Sequence, residues 1–543
     1  TQALGDVATQ SVKALSARQI QALTTDQIIA LIGDQMSALS TSQVSNLTVQ
    51  QIGAIETRDL VVMDTSQIGA MSATQVASMK TGQLNALTTS QLQSLTVGDI
   101  AKLSSSQVNA LDTSQIASLL TSQVAALSNQ NVAAMGSAQI AALDVSIAKL
   151  GNTSLAALNS NQASAITTGQ LRSLSTTQVG LISTVALSSL STSQISSLKT
   201  EQVSALTVAQ VKSLGSDAIS SWSTSQIDVL NAAQLDVIST AGLAALSTSQ
   251  VAQITTSELQ TLSNSQVSAI STSSIASLTN LRLASLKVTQ FQALSSTQTA
   301  ALTTDQISNL SSTQLRALSV SQWASLGTAN LASITSTQIT QLVATQVQTL
   351  TSQQLSSLST SAVGALSSTQ AKLLNATQLQ GITTSGASAL KAGFVNALNA
   401  AQLGALSTSQ IQSLSTGELS SVSTANLKLL STNQVQVLSS AALNALGTSQ
   451  IQALTSSQIQ SIGTSVLANL SSTNLRALTT TQIQSISANS LSSLSTSTMQ
   501  LLQTQQLSAL TTTQLTNLST ANFAALSSTQ IRGLGNSQIA ALT

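Results

Sequence analysis

The sequence predicts an all-α solenoid, and three observations carry that expectation. An apolar anchor recurs every eighth residue, each octad contains a helix-start signature, and acids and bases separate along the octad. The anchor stands at Leu15, Leu23, Leu31, Leu39 and Leu47 and passes through Ile55, Met63, Met71 and Met79 without slipping. The frame holds to Leu143, loses one residue between Asp144 and Leu150, and then runs from Leu150 to Leu542. That makes roughly 68 copies of one unit, far more than an array needs to be recognised as such. In the copy that starts at Leu406, position one is Leu, position two Ser or Thr, and position five mostly Gln. Position six is Ile, Val or Leu, and position eight mostly Ala or Ser.

An octad cannot be part of an uninterrupted helix, because eight residues at about 100° each rotate the apolar stripe by about 80° per repeat and smear it around the cylinder. Nor does it fit one flat strand, since positions one and six have opposite parity and would face opposite sides of the pleat. The spacing favours short helices that restart. Ser407 and Gln410 form the S/T-x-x-Q capping box, while Leu406 and Ile411 occupy the two places of a hydrophobic staple. The charges agree. Asp26, Asp34, Glu201, Asp305 and Glu418 lie at positions four and five, near a helix N-terminus. Lys13, Arg172, Lys212, Arg316, Lys428, Arg476 and Arg532 lie at position seven, with Lys102 at the same end, where a cation complements the last turn.

Helices of five to seven residues do not hold alone, because the cost of nucleation is spread over too few hydrogen bonds. The stable object is therefore the stack, with positions one, six and eight expected to face a shared axis and small residues at eight letting neighbouring segments approach. The alternative is a β-solenoid, in which Ser, Thr and Gln would form ladders and the β-branched residues at six would fill the inside. Against it stand Leu at one, Ala at eight, and 23 glycines that mark no regular corner. Residues 1–543 are expected to form a single continuous array, with the phase break near 144–150 a local kink or shortened loop. Neither end carries a polar capping repeat, so further repeats or neighbouring molecules are expected to cover the ends.

Composition removes most chemistry. The 543 residues include no His, Cys or Pro and only 6% charged side chains, so no Ser-His-Asp triad, thiol nucleophile or ordinary zinc site can be assembled. No catalytic, cofactor-binding or metal-ligating residue is nominated, and the chain is not expected to be an enzyme. A net charge of +1 supplies no field for nucleic acid or anionic lipid, and it does not oppose association between copies. Polar residues interrupt every apolar run well short of the ~20 needed to cross a bilayer, so no membrane insertion is expected. The start, TQALGDVATQSVKAL, lacks the basic and apolar blocks of a secretory signal, so export is expected to use another signal or one outside this sequence.

Single residues carry structural expectations. Trp222 at position one, and Phe291, Trp323 and Phe523 at position six, are expected to fill the core; Phe394, at position five, falls off the pattern and is a candidate for exposure. Asn152-Thr153-Ser154 matches a glycosylation sequon in a chain so rich in these residues that chance explains it. Asp26 and Asp34 share a register, but they read as solvated helix caps, because calcium needs six to eight oxygens. The recurrent hydroxyl face has the regularity of an ice- or sugar-binding surface, though helix starts require the same residues.

The runs Leu406 to Leu414 and Leu446 to Leu454 resemble the Leu-Ser/Thr-x-x-Gln-Ile/Val-x-Ala arrays of very large exported repeat proteins of proteobacteria. The resemblance implies an extracellular or cell-surface location and a scaffold or adhesive role. The calcium-binding nonapeptides of some such exported giants are absent. The expected function is a structural protein of an extracellular bacterial filament, sheath or biofilm matrix fibre, with copies of itself as partners. The alternative is the stalk of an adhesin, or a face that binds ice, glycan or the cell surface.

Overall fold

The computed structural model describes residues 7–542, and among them every regular element is a helix and no strand forms. The β-solenoid alternative is thereby overturned. One short helix forms per octad, each of four to six residues, as in Thr41–Ser45, Thr248–Val251 and Thr408–Ser413. The chain divides into two compact units, Thr1–Ser274 and Ile275–Thr543, and each is an α-solenoid in which a helix packs on the one three octads further along.

The link between helices is two extended residues. Leu414 closes Thr408–Ser413 at φ −61°, ψ 136°, and Ser415 opens the next helix at φ −70°, ψ 156°. Leu414 N–H donates to Ile411 O at 3.2 Å, an i→i−3 bond that tightens the last turn before the chain leaves it. The anchor at position one thus ends one helix and prepares the next. Positions one and six fill the core: Leu84, Leu87, Leu92 and Leu95 are all buried.

Position eight differs from expectation. It is half-buried, as at Ala86 and Ser94, because it lies between successive coils and not on their axis. Ser325 Oγ donates to Ser296 O at 2.9 Å, 29 residues back, and a Cβ on Gly381 would collide with Ser352 O, again 29 residues back. Small side chains at eight therefore set how closely coils approach, which the sequence did foretell.

At the phase break, Asp144–Lys149 winds as a 3-10 helix. Leu143 stays helical (φ −61°, ψ −17°) where other anchors are extended, and Asp144 takes φ 45°, the one positive φ outside glycine among the described residues. The deletion is absorbed in that single coil, and Ile147 keeps the core filled.

Candidate functional site

The arrangement that repeats through both units is a polar clamp built on position five. Gln43 is buried, although its neighbours in sequence at two, three and four are exposed. Its carboxamide works in two directions. Oε1 accepts from the backbone N–H of Ser40 at 2.8 Å, completing the capping box of its own helix. Nε2 donates to Val12 O at 3.1 Å, Lys13 O at 3.2 Å and Leu15 O at 2.7 Å, the carbonyls at the end of the helix four octads earlier. Gln91 repeats this with Thr88 N–H at 2.8 Å, Leu60 O at 2.8 Å and Met63 O at 2.7 Å. In the second unit Gln410 does the same with Ser407 N–H at 2.7 Å, Leu379 O at 2.8 Å and Ile382 O at 2.6 Å. One side chain therefore satisfies an orphan donor at one helix start and the orphan carbonyl of an anchor just past another helix end, and adds a second bond to the position-six carbonyl that already accepts that anchor's N–H.

Natural exceptions show why the residue is glutamine. Glu258 and Glu418 accept from the N–H groups of Thr255 and Ser415, each at 2.8 Å, but a carboxylate has no proton to give to carbonyls, and both remain only half-buried. Asparagine is one methylene shorter and spans both halves only at Asn131, where Ser128 N–H donates to Oδ1 at 3.0 Å and Nδ2 donates to Leu103 O at 2.9 Å. Asn330, Asn474 and Asn522 keep the bond to an earlier coil, for example Asn330 Nδ2 to Leu302 O at 2.9 Å, and lose the reciprocal capping bond. The glutamine half also persists where position two has no hydroxyl: Leu120 N–H donates to Gln123 Oε1 at 2.9 Å and Gly447 N–H to Gln450 Oε1 at 2.7 Å. Across the phase break Gln162 still reaches Val132 O and Met135 O, counting 30 and 27 residues where the regular clamp counts 31 and 28.

Position seven supplies a second tie. Gln93 Nε2 donates to Ser118 O at 2.7 Å, Asn396 Nδ2 to Ser421 O at 2.9 Å, and Arg476 Nε to Leu501 O at 3.2 Å, each 25 residues ahead. The bases at position seven do lie in the last turn of their own helices, and Arg172 and Arg476 also meet the carbonyl end of the helix three octads further on, but Lys80, Lys199, Lys287 and Lys391 are N-cap residues, against the expected separation of charge.

Asp59 departs from the pattern. It fills the clamp position, is 2% exposed, and lies with Oδ2 3.6 Å from Arg58 Nε, while Arg58 also pairs with Glu56 at 2.9 Å. Burial pushes its carboxyl above the ordinary carboxylate range, opposed by Arg58. These are the ion pairs found among the described residues.

The residues singled out from the sequence fall as follows. Trp222, Phe291 and Trp323 are buried in the core, and Phe523 is half-buried beside a surface cleft of about 380 Å³ with Leu518 and Leu542. Phe394 is buried, at 1% exposure, which overturns the expectation that it faces solvent. Its helix, Ala392–Ala397, packs on Ser368–Ala371, where Ala371 replaces the usual large aliphatic at position six, and Gly386 and Ala387 lie in the preceding octad. The ring supplies volume that these small residues leave open. Asp26 and Asp34 are exposed in first turns, and no cluster of three or more His, Cys, Asp or Glu forms among the described residues. In the sequon, Asn152 is exposed, but the Ser154 hydroxyl is buried and donates to Asn129 Oδ1 at 2.7 Å, tying two coils together.

The inter-coil half of the clamp was missed by sequence reasoning, and a signal for it existed. A capping box accepts Glu as readily as Gln, whereas position five here uses Glu only at Glu258 and Glu418. Aspartate adds only Asp59 and Asp99, and such a strong preference for the amide over the carboxylate points to a donor as well as an acceptor.

The model of the ALTTAQ repeat family matches residues 52–89 and 430–464, two stretches that lie inside the octad array. No curated protein matches the sequence. Among solved structures, a homology model of the full-length AP-3 complex in an intermediate open conformation aligns at 11% identity and a TM-score of 0.13, covering 99% of this chain and 90% of that one. The structure of APUM23-GGAAUUGACGG aligns at 11% identity and a TM-score of 0.11, covering 98% and 92%. At those scores neither bears on fold or function. The chain is a repeat protein similar to ALTTAQ arrays over those two stretches.

Proposed function

We propose that this chain is a structural protein, a building block of an extracellular bacterial filament, sheath or matrix fibre that associates with copies of itself and performs no catalysis. The observation that supports this reading most directly is the glutamine clamp. It commits the buried polar side chain of most octads to holding coil on coil and leaves a surface of hydroxyls and amides. A chain that carries 6% charge and a net +1 meets its own copies without mutual repulsion. The similarity to ALTTAQ repeats supports a structural repeat role, and the resemblance to large exported arrays is the ground for proposing a cell-surface location.

Electron microscopy of secreted material, decorated with an antibody to this chain, tests the proposal. Labelled filaments or sheaths are expected, and labelled dispersed particles alone would overturn it. The stalk reading predicts a different outcome, label confined to the space between the cell surface and a distal, unlabelled tip.

A further inference from the structure

The surface of the first unit is mostly Ser, Thr and Gln, but one series of its octads departs from that. Position three carries Val49, Val97 and Val145 at intervals of six octads, and on the intervening coils Ala73 stands at position three and Leu120 one residue earlier, at the N-cap in position two. These residues belong together. Val49–Ala54 packs on Ala73–Ser78, that helix on Val97–Lys102, that one on Thr121–Ala125, and the last on Asp144–Lys149. The side chains remain in solvent: Val49 is 37% exposed, Val97 49%, Leu120 47% and Val145 57%. Five successive coils thus carry an aliphatic row. No local role explains it, because position two is filled by Ser or Thr and position three by Thr, Ser or Ala in most other octads.

We infer that this row is the surface through which two copies of the chain associate side by side, an inference that rests on the self-association proposed above and gives it a location. Two features of the row select a second copy as the occupant. First, positions two and four beside it are Thr48, Gln50, Ser72, Thr74, Thr96 and Gly98 through its first three coils and Ser122 and Ser146 at position four of the last two, with Asp144 beside Val145 the one charge among them, so an acidic segment or a lipid headgroup finds no cation there. Second, the spacing of the row is the coil-to-coil spacing of this solenoid, and another copy carries the same spacing and the same drift around the coil. A partner of different period would lose register after one or two side chains, whereas a self-matched row stays in contact along its length.

The test uses the full chain and substitutions that suit helix starts. Val97→Asp places an acid in a first turn, and Leu120→Asp creates an N-cap like Asp64 and Asp112, so both leave the fold intact by circular dichroism. In sedimentation velocity the wild type is expected to associate, and the V97D/L120D double variant to weaken that association by roughly tenfold or more. Thr89→Asp, at the same octad position on an exposed helix outside the row, is expected to leave it unchanged. The chain contains no Cys, so Val97→Cys is expected to form a disulfide-linked dimer under mild oxidation faster than Thr89→Cys. Association that V97D/L120D does not alter would overturn the row while leaving self-association standing. A wild type that stays monomeric at every concentration would overturn both. A monomer that floats with phosphatidylcholine vesicles, and loses this in V97D/L120D, would replace the second copy with lipid.

Discussion

The coils from Met63 to Leu127 and those from Leu358 to Leu398 hold together by different means. In the first stretch position five is Gln67, Gln75, Gln83, Gln91, Gln107, Gln115 and Gln123, interrupted by Asp99, and each glutamine ties its coil to an earlier one. In the second stretch it is Ala362, Gln370, Gln378, Gly386 and Phe394. There the polar tie is intermittent, and apolar volume takes over: Phe394 is buried among coils whose own residues at five and six are unusually small. The difference teaches that the solenoid requires a filled and satisfied slot at position five, by either means. Because each coil meets only its neighbours, one method can give way to the other without affecting distant coils.

The comparison breaks most severely at its aromatic end. Phe394→Ala is expected to cost about 3–5 kcal/mol, because the surrounding backbone cannot collapse onto the lost ring. Hydrogen exchange should show deprotection confined to the coils on either side of Leu390. Equal protection in variant and wild type would show that the ring is dispensable.

At the clamped end, Gln75→Glu keeps an acceptor for Ser72 N–H but turns a carboxylate toward Val44 O and Leu47 O. Its carboxyl should titrate above the ordinary range, so the folded state gains stability as pH falls through that raised value and loses it as pH rises. At neutral pH the variant is expected to be less stable than Gln75→Ala, which costs about 1–3 kcal/mol for the unsatisfied Leu47 carbonyl and Ser72 N–H. The order should reverse in acid, where the protonated acid donates again; thermal unfolding across pH reads this crossing.

Gly381→Ala tests how closely the coils approach in the mixed stretch. A Cβ would collide with Ser352 O, so the backbones must part, at about 1–3 kcal/mol. An unchanged melting temperature would show that the coil gap is elastic.

The smallest effect is a gain. Asp59→Gln installs the missing clamp and removes a buried carboxyl whose raised titration makes the wild type lose stability as pH rises. A stabilisation of about 0.5–1.5 kcal/mol is expected near neutrality, shrinking in acid where Asp59 is protonated. A stabilisation independent of pH would assign the gain to the hydrogen bonds alone.

Much of the fold was legible because its signals are local. The capping box at Ser407–Gln410, the staple at Leu406–Ile411 and the separation of Glu201 from Arg172 along the octad all act within one helix, so eight residues suffice to state them. Phe394 was not legible, since its burial depends on small residues in octads that meet it only across coils. The inter-coil half of the clamp was hidden for the same reason, although the near absence of glutamate at position five pointed to it.

Sequence by itself determined that the chain is all-helical, that a helix restarts in every octad, and that positions one and six are the core, because capping and staple geometry are properties of neighbours in the chain. Tertiary structure alone decided what the glutamine amide and position seven do with their remaining hydrogen-bonding capacity, and where the aliphatic row on the first unit assembles. Those outcomes depend on how many residues close a coil. The sum of many small backbone rotations sets that count, so a carbonyl 28 residues back comes within reach of Gln43, and no single octad encodes it.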